Sequence, residues 1–457
     1  MLKGLSKKNL ELLNQAGPRY TSYPPIPQWK EDYNPEQLTS ELEALGSKDS
    51  VALYLHIPFC EKRCHFCACH KIIDPGHTQA AVYVEHLLKE IEICKTLAPG
   101  NPEVVQVHWG GGTPTFLQVS DIRRIHDKLN QNFQLGSGAE IAMEVNPATT
   151  LASQIEGLAQ LGFTRLSFGV QDFDPEVQRA INRDQSFEQT KSLYDLARRL
   201  GFAGINFDLI YGLPRQNITK MQQTLKLVMD LGPDRIALYS FALVPWKHPF
   251  QRRFDSAELP NLEAKLSLYN YAAETLQAFG YVRIGMDHFA KPGDPLAIAA
   301  QKARLHRNFM GYTTLYETPV IGFGVSAISS IGNIYAQNEK ALPAYYNKIA
   351  QGQLPTARGM TLGADDLIRR DLIEEILCNF RVDLQAFQKK HRISFWEYFQ
   401  TSKSPLIEFQ KLKLINFNQD VFIIEELGRL FARNIAMCFD RYLQNDQTQT
   451  AQYSRTI

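Results

Sequence analysis

Four of the seven cysteines in this chain of 457 residues lie within one stretch of ten, at Cys60, Cys64, Cys67 and Cys69. The stretch reads HIPFCEKRCHFCACHK over residues 56–71. Thiols packed this densely in a large protein indicate metal binding or redox chemistry rather than a disulfide framework. The remaining cysteines lie in helical patterns, where we predict small buried hydrophobic residues, and they are Cys94, Cys378 and Cys438.

The spacing Cys60-x3-Cys64-x2-Cys67 suits an iron–sulfur cluster held on one loop. Three thiolates can bind three corners of a cubic [4Fe–4S] cluster, which leaves one iron with an open position, as in catalytic zinc sites. Three alternatives compete. A zinc site favours a second, separated pair of cysteines, which the sequence lacks. A thioredoxin-like Cys64-x-x-Cys67 pair leaves Cys60 and Cys69 unexplained, and four cysteines would close the cluster for electron transfer alone.

The charge balance and hydropathy of the chain argue against some classes of partner. Lys and Arg number 49 and Asp and Glu 48, without a clustered basic excess, so we expect no nucleic-acid partner. No run of about 18 apolar residues appears, so we expect no membrane span. Since the N-terminus also lacks the apolar segment of a secretory signal, we expect a cytoplasmic location.

The cysteine stretch directly follows the first of six predicted strands, each short and rich in β-branched or aromatic residues. The predicted strands are VALYLHIP (51–58), VVQVHWG (104–110), EIAMEVN (140–146), RLSFGVQ (165–171), GINFDLIYG (204–212) and RIALYSFAL (235–243). Helical patterns lie between them, for example at residues 80–97, 151–162 and 187–201. This alternation predicts an α/β fold with a parallel sheet and helices outside. Because six units are fewer than the eight of a closed barrel, we predict a partial (β/α)6 TIM-like barrel, with a doubly wound flat sheet as the competing fold.

Polar or glycine residues recur at the ends of these strands, where a parallel barrel places its chemistry. The second strand runs into GGGTP (110–114), whose glycines let a backbone approach a ligand closely and expose amide donors. The third strand carries Glu144, the fourth ends at Gln171 and the fifth holds Asp208. Carboxylates inside apolar strands are costly unless they are paired or bound. We therefore expect Glu144 to hold an ammonium group, and Asp208 to accept from a ligand hydroxyl or ammonium.

These patterns divide the chain into four predicted parts. They are an N-terminal arm (1–48), the partial barrel (49–285), a connecting and substrate-site segment (286–350) and a mostly helical C-terminal domain (351–457). Within the connecting segment, residues 286–294 and 305–314 are predicted as loops. Residues 412–439 predict a short hairpin followed by a helix, like a winged-helix element. Without a basic excess this element is interpreted as a packing module rather than a DNA-binding one.

The cysteine stretch resembles the radical S-adenosylmethionine superfamily, whose signature is Cys-x3-Cys-x2-Cys with an aromatic residue, here Phe66, before the last cysteine. The added Cys69, which gives a Cys-x-Cys ending, resembles the coproporphyrinogen dehydrogenase branch. The resemblance spans nearly the full chain, through GPRYTSYP (17–24), GMDHFA (285–290), LHRNFMGYTT (305–314) and YSRTI (453–457). Residues 246–258 are least like that branch, and Asn146 stands where its members often carry Asp.

This resemblance implies a [4Fe–4S] cluster on Cys60, Cys64 and Cys67, with Cys69 outside the cluster, and two bound molecules of S-adenosyl-L-methionine. The first molecule would lie on the open iron and contact Tyr54, Phe66, Gly111 and Glu144. The second would contact Gly112, Thr113, Gln171, Arg183, Asp208, Ala242 and Ile328.

The activity implied by the resemblance is the oxygen-independent oxidative decarboxylation of two propionates of coproporphyrinogen III to vinyl groups. The product would be protoporphyrinogen IX, in heme biosynthesis. The resemblance also implies a monomer and a low-potential electron donor such as a flavodoxin or ferredoxin. A related heme chaperone is the alternative function, although such relatives generally lack the N-terminal arm and the Cys-x-Cys ending.

A tetracarboxylate substrate needs cationic partners, and the planar guanidinium of Arg matches a carboxylate best. Arg19 is one candidate, because Tyr20 and Tyr23 lie beside it in the arm. Arg307 and Arg455 are the others.

Overall fold

The computed structural model describes residues 5–445 and 453–456, so the ends of the predicted arm and C-terminal domain, and the last residue of the YSRTI motif, lie outside it. In chain order the strands are β1 Ser50–Ile57, β2 Phe59–Cys60, β3 Ile72–Ile73, β4 Glu103–Gly111, β5 Gln134–Val145, β6 Arg165–Gln171, β7 Gly204–Tyr211, β8 Arg235–Ser240, β9 Val282–Ile284, β10 His288–Ala290, β11 His306–Asn308, β12 Gly311–Thr313, β13 Val320–Phe323, β14 Ile328–Ile331, β15 Ile334–Asn338, β16 Thr356–Thr361, β17 Arg381–Asp383, β18 Ile415–Phe417 and β19 Val421–Ile424. The helices are α1 Lys7–Leu13, α2 Glu36–Ala44, α3 Ala80–Leu97, α4 Val119–Asn132, α5 Ala152–Gln160, α6 Pro175–Ala180, α7 Phe187–Arg199, α8 Ile218–Leu231, α9 Leu262–Ala278, α10 Pro295–Gln301, α11 Leu342–Ala350, α12 Ala364–Cys378, α13 Leu384–His391, α14 Phe395–Tyr398, α15 Lys403–Lys411, α16 Ala432–Met437 and α17 Arg441–Asn445.

Capping hydrogen bonds and glycine residues determine where the barrel helices begin and end, as α7 illustrates. At the start of α7, the Ser186 hydroxyl accepts from the Gln189 amide at 3.1 Å and the Gln189 side chain accepts from the Ser186 amide at 2.8 Å. This reciprocal pair satisfies two amides that the first helical turn leaves without partners. The helix is followed by Gly201 at φ +83°, a backbone conformation that glycine adopts without strain.

The six predicted strands form the centre of one 12-stranded sheet in the order β1-β4-β5-β6-β7-β8, and every neighbouring pair is parallel. This order follows the chain without reversal, whereas a doubly wound sheet reverses its order at a switch point. Since crossover connections are right-handed, a run without reversal places all helices on one face and curls the sheet. The prediction of a partial barrel is therefore confirmed over the competing flat sheet.

The sheet continues beyond the six predicted strands on both sides. β13 pairs parallel to β1 and continues into the antiparallel strands β14, β15 and β16, while β10 and β9 follow β8. The prediction of loops at residues 286–294 and 305–314 was wrong in part, because β10 and the hairpin β11–β12 lie there. In the part of the chain that is described, the edge strands β16 and β9 do not pair, so the barrel stays open.

Residues 364–445 are mostly helical and include a small antiparallel sheet of order β17-β19-β18. The hairpin β18–β19 followed by α16 corresponds to the predicted winged-helix-like element. The apolar core of residues 364–445 also includes Tyr20 and Tyr23, which come from the N-terminal arm. The Tyr20 hydroxyl donates to Asp440 Oδ2 at 2.9 Å. Among the helices of residues 5–445 and 453–456, none combines the length and apolar character needed to cross a bilayer.

A buried carboxylate joins the added strands to the barrel. Glu90 on α3 is 1% exposed. It accepts hydrogen bonds from the Tyr345 hydroxyl at 2.6 Å, the Gly324 amide at 2.7 Å and Asn338 Nδ2 at 2.7 Å. Burial raises the pKa of Glu90 to about 7. The position of β13–β15 therefore depends on one side chain of the first barrel helix.

Glu90→Ala is expected to lower the free energy of unfolding by about 3 kcal/mol or more, because it leaves three buried donors without an acceptor. Urea unfolding measures the change. Glu92→Ala is the matched control on the same helix. Glu92 is 55% exposed and pairs with Lys128 at the surface, so its loss should cost at most about 1 kcal/mol. Equal effects of the two variants would contradict the role of Glu90.

Because the folded state holds the Glu90 proton more tightly than the unfolded state, this group stabilises the fold most at low pH. Its contribution is lost as pH rises from the ordinary carboxyl value to about 7.

Candidate active site

The cysteine loop is closed at its base by backbone pairing. Short strands β2 and β3 run parallel, with Phe59 opposite Ile72 and Cys60 opposite Ile73. The Ile72 amide donates to the Pro58 carbonyl at 2.7 Å. The loop follows β1 directly, so it lies at the carboxyl end of the barrel strands, where parallel barrels carry their chemistry.

The thiols of this loop have distinct surroundings. Cys60 Sγ lies 3.5 Å from the Thr113 hydroxyl, and Arg183 Nη1 donates to Cys64 Sγ at 3.6 Å. Burial raises the pKa of the Cys60 thiol to about 11. A hydrogen bond with Cys69 lowers the pKa of Cys67, and the same contact raises the pKa of Cys69. The side chains of Cys67 and Cys69 are therefore in contact with each other, while Cys94, Cys378 and Cys438 are buried as predicted.

The donor set fits an iron–sulfur cluster better than a single metal ion. Among the residues described, no three His, Cys, Asp or Glu side chains converge closely enough to hold one ion. A tetrahedral zinc site, with Zn–S bonds of about 2.3 Å, needs thiolates about 3.8 Å apart. Each thiolate of a cubane binds a different iron, so its ligands stand farther apart. Cys60, Cys64 and Cys67 all line one cavity, so the three thiols face a common space that a cluster could occupy.

The glycine run at the end of β4 fits against the cysteine loop. The Gly112 amide donates to the Ile57 carbonyl at 2.8 Å and the Thr113 amide to the Phe59 carbonyl at 2.9 Å. These two amides are therefore not the exposed ligand donors that the sequence suggested. Gly111 adopts φ +118°, and its amide donates to Glu144 Oε2 at 3.3 Å. The run contributes by close packing, which only glycine permits here.

Gly111→Ala is expected to lower the S-adenosylmethionine cleavage that the resemblance implies by about tenfold or more, since strained backbone of this kind costs about 1–3 kcal/mol. An added Cβ would also lie 2.8 Å from the His56 ring. Formation of 5′-deoxyadenosine by reconstituted protein measures the loss. Gly293→Ala is the control, because a Cβ there meets no atom within 4 Å. A Gly111 variant as active as this control would contradict the packing argument.

The structure brings the predicted cofactor residues to two neighbouring cavities. A cavity of about 590 Å³ contains the three cysteines and is also lined by Phe66, Gly111, Gly112, Thr113, Glu144, Gln171, Arg183, Asp208 and Ala242. Tyr54 and Ile328 instead line a larger cavity of about 1150 Å³. The predicted division of these residues between two ligand molecules does not coincide with the two cavities, because most of the second set lies beside the cysteines.

Four carboxylate residues line the smaller cavity, and Glu144 and Asp208 are the two that lie on barrel strands. Asp208 accepts from the Ser167 hydroxyl at 3.2 Å and from Asn206 Nδ2 at 2.9 Å. Burial and then the charge of Glu144 raise the pKa of Asp208 to about 6. A cationic group placed between the two carboxylates would relieve this repulsion. The arrangement therefore suits a ligand that carries an ammonium or sulfonium charge.

Gln171 and Arg183 line the same cavity and are held firmly. Gln171 is 8% exposed and adopts φ +67°, a sparsely populated conformation for a residue other than glycine. Arg183 is 9% exposed and donates to Gln185 Oε1 through two nitrogens, at 3.1 and 2.9 Å. Strained or buried polar residues of this kind cluster at functional sites.

The larger cavity is strongly cationic. Its lining includes six basic side chains, Arg19, Arg63, Lys71, Lys247, Lys340 and Arg358, and Glu144 is the one carboxylate among its described lining residues. It shares a wall with the smaller cavity that includes Arg19, Cys69, Lys71, Gly111, Glu144 and Ala242. A polyanionic ligand in the larger cavity would therefore reach the cysteine side.

Of the arginines predicted to bind carboxylates, Arg19 lines both cavities. Arg307 lines a separate cavity of about 360 Å³ and donates to the Arg19 carbonyl at 3.3 Å. Arg455 donates to the Asn14 carbonyl at 2.6 Å and lines none of the three cavities. Tyr20 and Tyr23 pack mainly into the C-terminal core. Arg307 and Arg455 therefore do not line the large cavity, and their role as carboxylate partners stays a prediction. Three of the six basic residues of that cavity, Lys247, Lys340 and Arg358, lie outside the motifs described above.

Comparison with known proteins agrees with this geometry. Residues 54–228 match the Radical SAM superfamily, so the open barrel and its cysteine loop define a radical S-adenosylmethionine protein. The chain is 42% identical to the oxygen-independent coproporphyrinogen III oxidase of Escherichia coli over 98% of its own length and 97% of that protein. It is 40% identical to the Synechocystis protein of the same name over 99% of its own length and 98% of that protein. The chain belongs to the family of oxygen-independent coproporphyrinogen III oxidases.

A solved structure of the Escherichia coli coproporphyrinogen III oxidase HemN, described as a radical SAM enzyme, superposes with a TM-score of 0.89 at 42% identity. It covers 93% of this chain and 98% of the Escherichia coli chain. The similarity therefore extends over nearly the whole chain.

Proposed function

We propose that this protein converts two propionate side chains of coproporphyrinogen III to vinyl groups without molecular oxygen, giving protoporphyrinogen IX and two CO2 in heme biosynthesis. In each half-reaction the propionate loses a hydrogen atom from its β-carbon, then CO2, and one electron passes to an acceptor. The observation that carries the proposal is the shared wall between the cysteine cavity and the large cationic cavity. A tetracarboxylate can lie there with one propionate facing the cofactor side.

The residues of the smaller cavity suit the cofactors of this reaction. Cys60, Cys64 and Cys67 would hold a [4Fe–4S] cluster, with Cys69 as a hydrogen-bond donor rather than a ligand. When bound, the cluster and S-adenosylmethionine supply a 5′-deoxyadenosyl radical, which takes hydrogen from an unactivated carbon. Glu144 and Asp208 would hold the cationic parts of S-adenosylmethionine.

The remaining predicted contacts, to one or two S-adenosylmethionine molecules, are Tyr54, Phe66, Gly111, Gly112, Thr113, Gln171, Arg183, Ala242 and Ile328. Each of these residues lines at least one of the two cavities, which supports the assignment.

We further propose that the protein acts as a cytoplasmic monomer and receives electrons from a low-potential flavodoxin or ferredoxin. The near-neutral charge, with 49 basic and 48 acidic residues, supports action on a small molecule rather than on nucleic acid.

An anaerobic assay tests the function directly. Purified protein is reconstituted with iron and sulfide and given S-adenosylmethionine, reductant and coproporphyrinogen III. Protoporphyrinogen IX and 5′-deoxyadenosine are expected, with one S-adenosylmethionine consumed for each propionate lost. Tight heme binding without vinyl formation would instead identify a heme chaperone.

A further inference from the structure

Three basic side chains of the large cavity form one cluster: Lys247, Lys340 and Arg358. Arg358 donates to Gln337 Oε1 at 2.8 Å and lies 3.5 Å from the exposed carboxylate of Glu31. Among the described residues, no carboxylate lies within 4.0 Å of the ammonium group of Lys247 or Lys340. Burial and then the charge of Arg358 lower the pKa of both lysines. Three like charges thus face one cavity, and the exposed Glu31 offsets them only in part, so an anion in the cavity would stabilise the arrangement.

Sheet register fixes where this cluster lies relative to the cofactor side. Tyr54 on β1 is opposite Gly322 on β13, and Ile328 on β14 is opposite Gln337 on β15. A Cβ added at Gly322 would lie 2.5 Å from the Ile328 carbonyl, so these two residues are also neighbours across the strands. Gln337 is in turn opposite Arg358 on β16. One lateral row therefore runs across five strands.

Side chains opposite one another in a sheet project from the same face. Accordingly Tyr54, Ile328, Gln337 and Arg358 all line the large cavity. With strands about 4.8 Å apart, the backbone of Arg358 stands roughly 10 Å from that of Ile328 and roughly 19 Å from that of Tyr54. Arg358 thus marks the end of the row farthest from Tyr54.

We propose that Arg358, Lys340 and Lys247 bind propionate carboxylates of the substrate that are not reacting. This inference rests on the proposed function. The planar guanidinium of Arg358 suits a carboxylate fork, and the two lysines add point charges. Contacts remote from the reacting carbon orient it, because binding energy is spent on placing the β-carbon correctly. After the first vinyl forms, only three carboxylates remain, so the second half-reaction depends more strongly on this anchor.

The test compares Arg358→Gln, Lys340→Gln and Lys247→Gln in anaerobically reconstituted holoenzyme. Arg358→Gln is expected to raise the KM for coproporphyrinogen III about ten- to a hundredfold, as loss of a charge-assisted hydrogen bond does. The kcat at saturating substrate should change less than about threefold, since the reacting residues are untouched. The released fraction of the monovinyl tricarboxylate intermediate should rise. Arg358→Lys should retain part of the affinity.

Binding is measured separately with coproporphyrin III, the oxidised and stable tetracarboxylate, by titration of its absorbance. The dissociation constant should rise in the three variants and increase with salt in the wild type. Matched controls are Arg381→Gln and Lys302→Gln, which alter exposed residues outside the cavities that are described. Circular dichroism checks that each variant is folded.

The outcomes separate the two proposals. A wild type that binds coproporphyrin III but forms no vinyl product would overturn the proposed function alone. An active wild type whose Arg358 and Lys340 variants keep KM and dissociation constant within twofold would overturn the carboxylate anchor alone. A fall in kcat with unchanged KM would also contradict it, since that pattern assigns the cluster to the reaction step instead.

Discussion

Alanine at Cys60, Cys64 or Cys67 is expected to leave a folded protein without a cluster and to lower 5′-deoxyadenosine formation more than about 100-fold. Loss of even an outer partner of a metal site costs 10- to 100-fold, so loss of a ligand should cost more. Among the described residues Cys69 is the one other thiol of the loop, and the resemblance to the family leaves it outside the cluster, so we expect it not to replace a lost ligand. Iron and sulfide content, together with the visible absorbance of the reconstituted protein, measure the effect.

Cys69→Ala is the informative companion in the same loop. It removes a hydrogen bond to Cys67, so we expect the cluster to remain with reduced activity. Cys94→Ala, in the buried face of α3, controls for loss of a thiol elsewhere. If Cys69→Ala lost the cluster as completely as Cys60→Ala, the arrangement of three ligands and one open iron would be wrong.

Glu144→Gln is expected to raise the KM for S-adenosylmethionine about 10- to 100-fold, because hydrogen bonds between charged groups contribute about 1.5–3 kcal/mol. Glu144 lines both cavities. Its charge also helps to raise the pKa of Asp208 to about 6, after the larger effect of burial. The substitution removes that charge, so the pKa of Asp208 should fall. Activity that requires ionised Asp208 should then persist to lower pH than in the wild type.

Initial rates of 5′-deoxyadenosine formation between pH 5 and 8 measure both effects. Glu156→Gln is the control, since Glu156 is an exposed residue of α5. A Glu144 variant with an unchanged KM and an unshifted acidic limb would show that this carboxylate does not face the bound cofactor.

The barrel could be predicted from sequence because its signals are local. Each of the six central strands is a compact apolar segment followed by a helical pattern, and strands that are neighbours in this series pair with each other. The six are β1, β4, β5, β6, β7 and β8. β13 could not be predicted in this way. Its four residues, Val320–Phe323, pair with β1 across more than 260 positions, and no local pattern encodes a pairing so distant. In the sequence, the buried Glu90 that supports these strands likewise cannot be distinguished from the other charged residues of α3.

The same distinction applies to the candidate site. Cys60, Cys64 and Cys67 share one loop, so their spacing indicated a metal or cluster site, and the resemblance to the family selected these three over Cys69. Glu144 and Asp208 could be selected because carboxylates are unusual inside apolar strands. Arg358 and Lys340 look like ordinary surface cations in the sequence, and only the register of β14–β16 brings them to the cavity. Lys247 lies in residues 246–258, the part that resembled the family least.

One wall of the large cavity lies outside both the barrel core and the C-terminal core. The Gly17 amide donates to the Ser454 carbonyl at 3.1 Å and the Thr456 amide to the Gln15 carbonyl at 2.8 Å, while Gly17 and Ser454 line the cavity. Such a narrow pairing opens with a smaller free energy than a central strand does. In hydrogen–deuterium exchange, the amides of Gly17 and Thr456 should therefore exchange much faster than that of Phe207. The pairing between these two segments can thus open locally while the barrel stays folded.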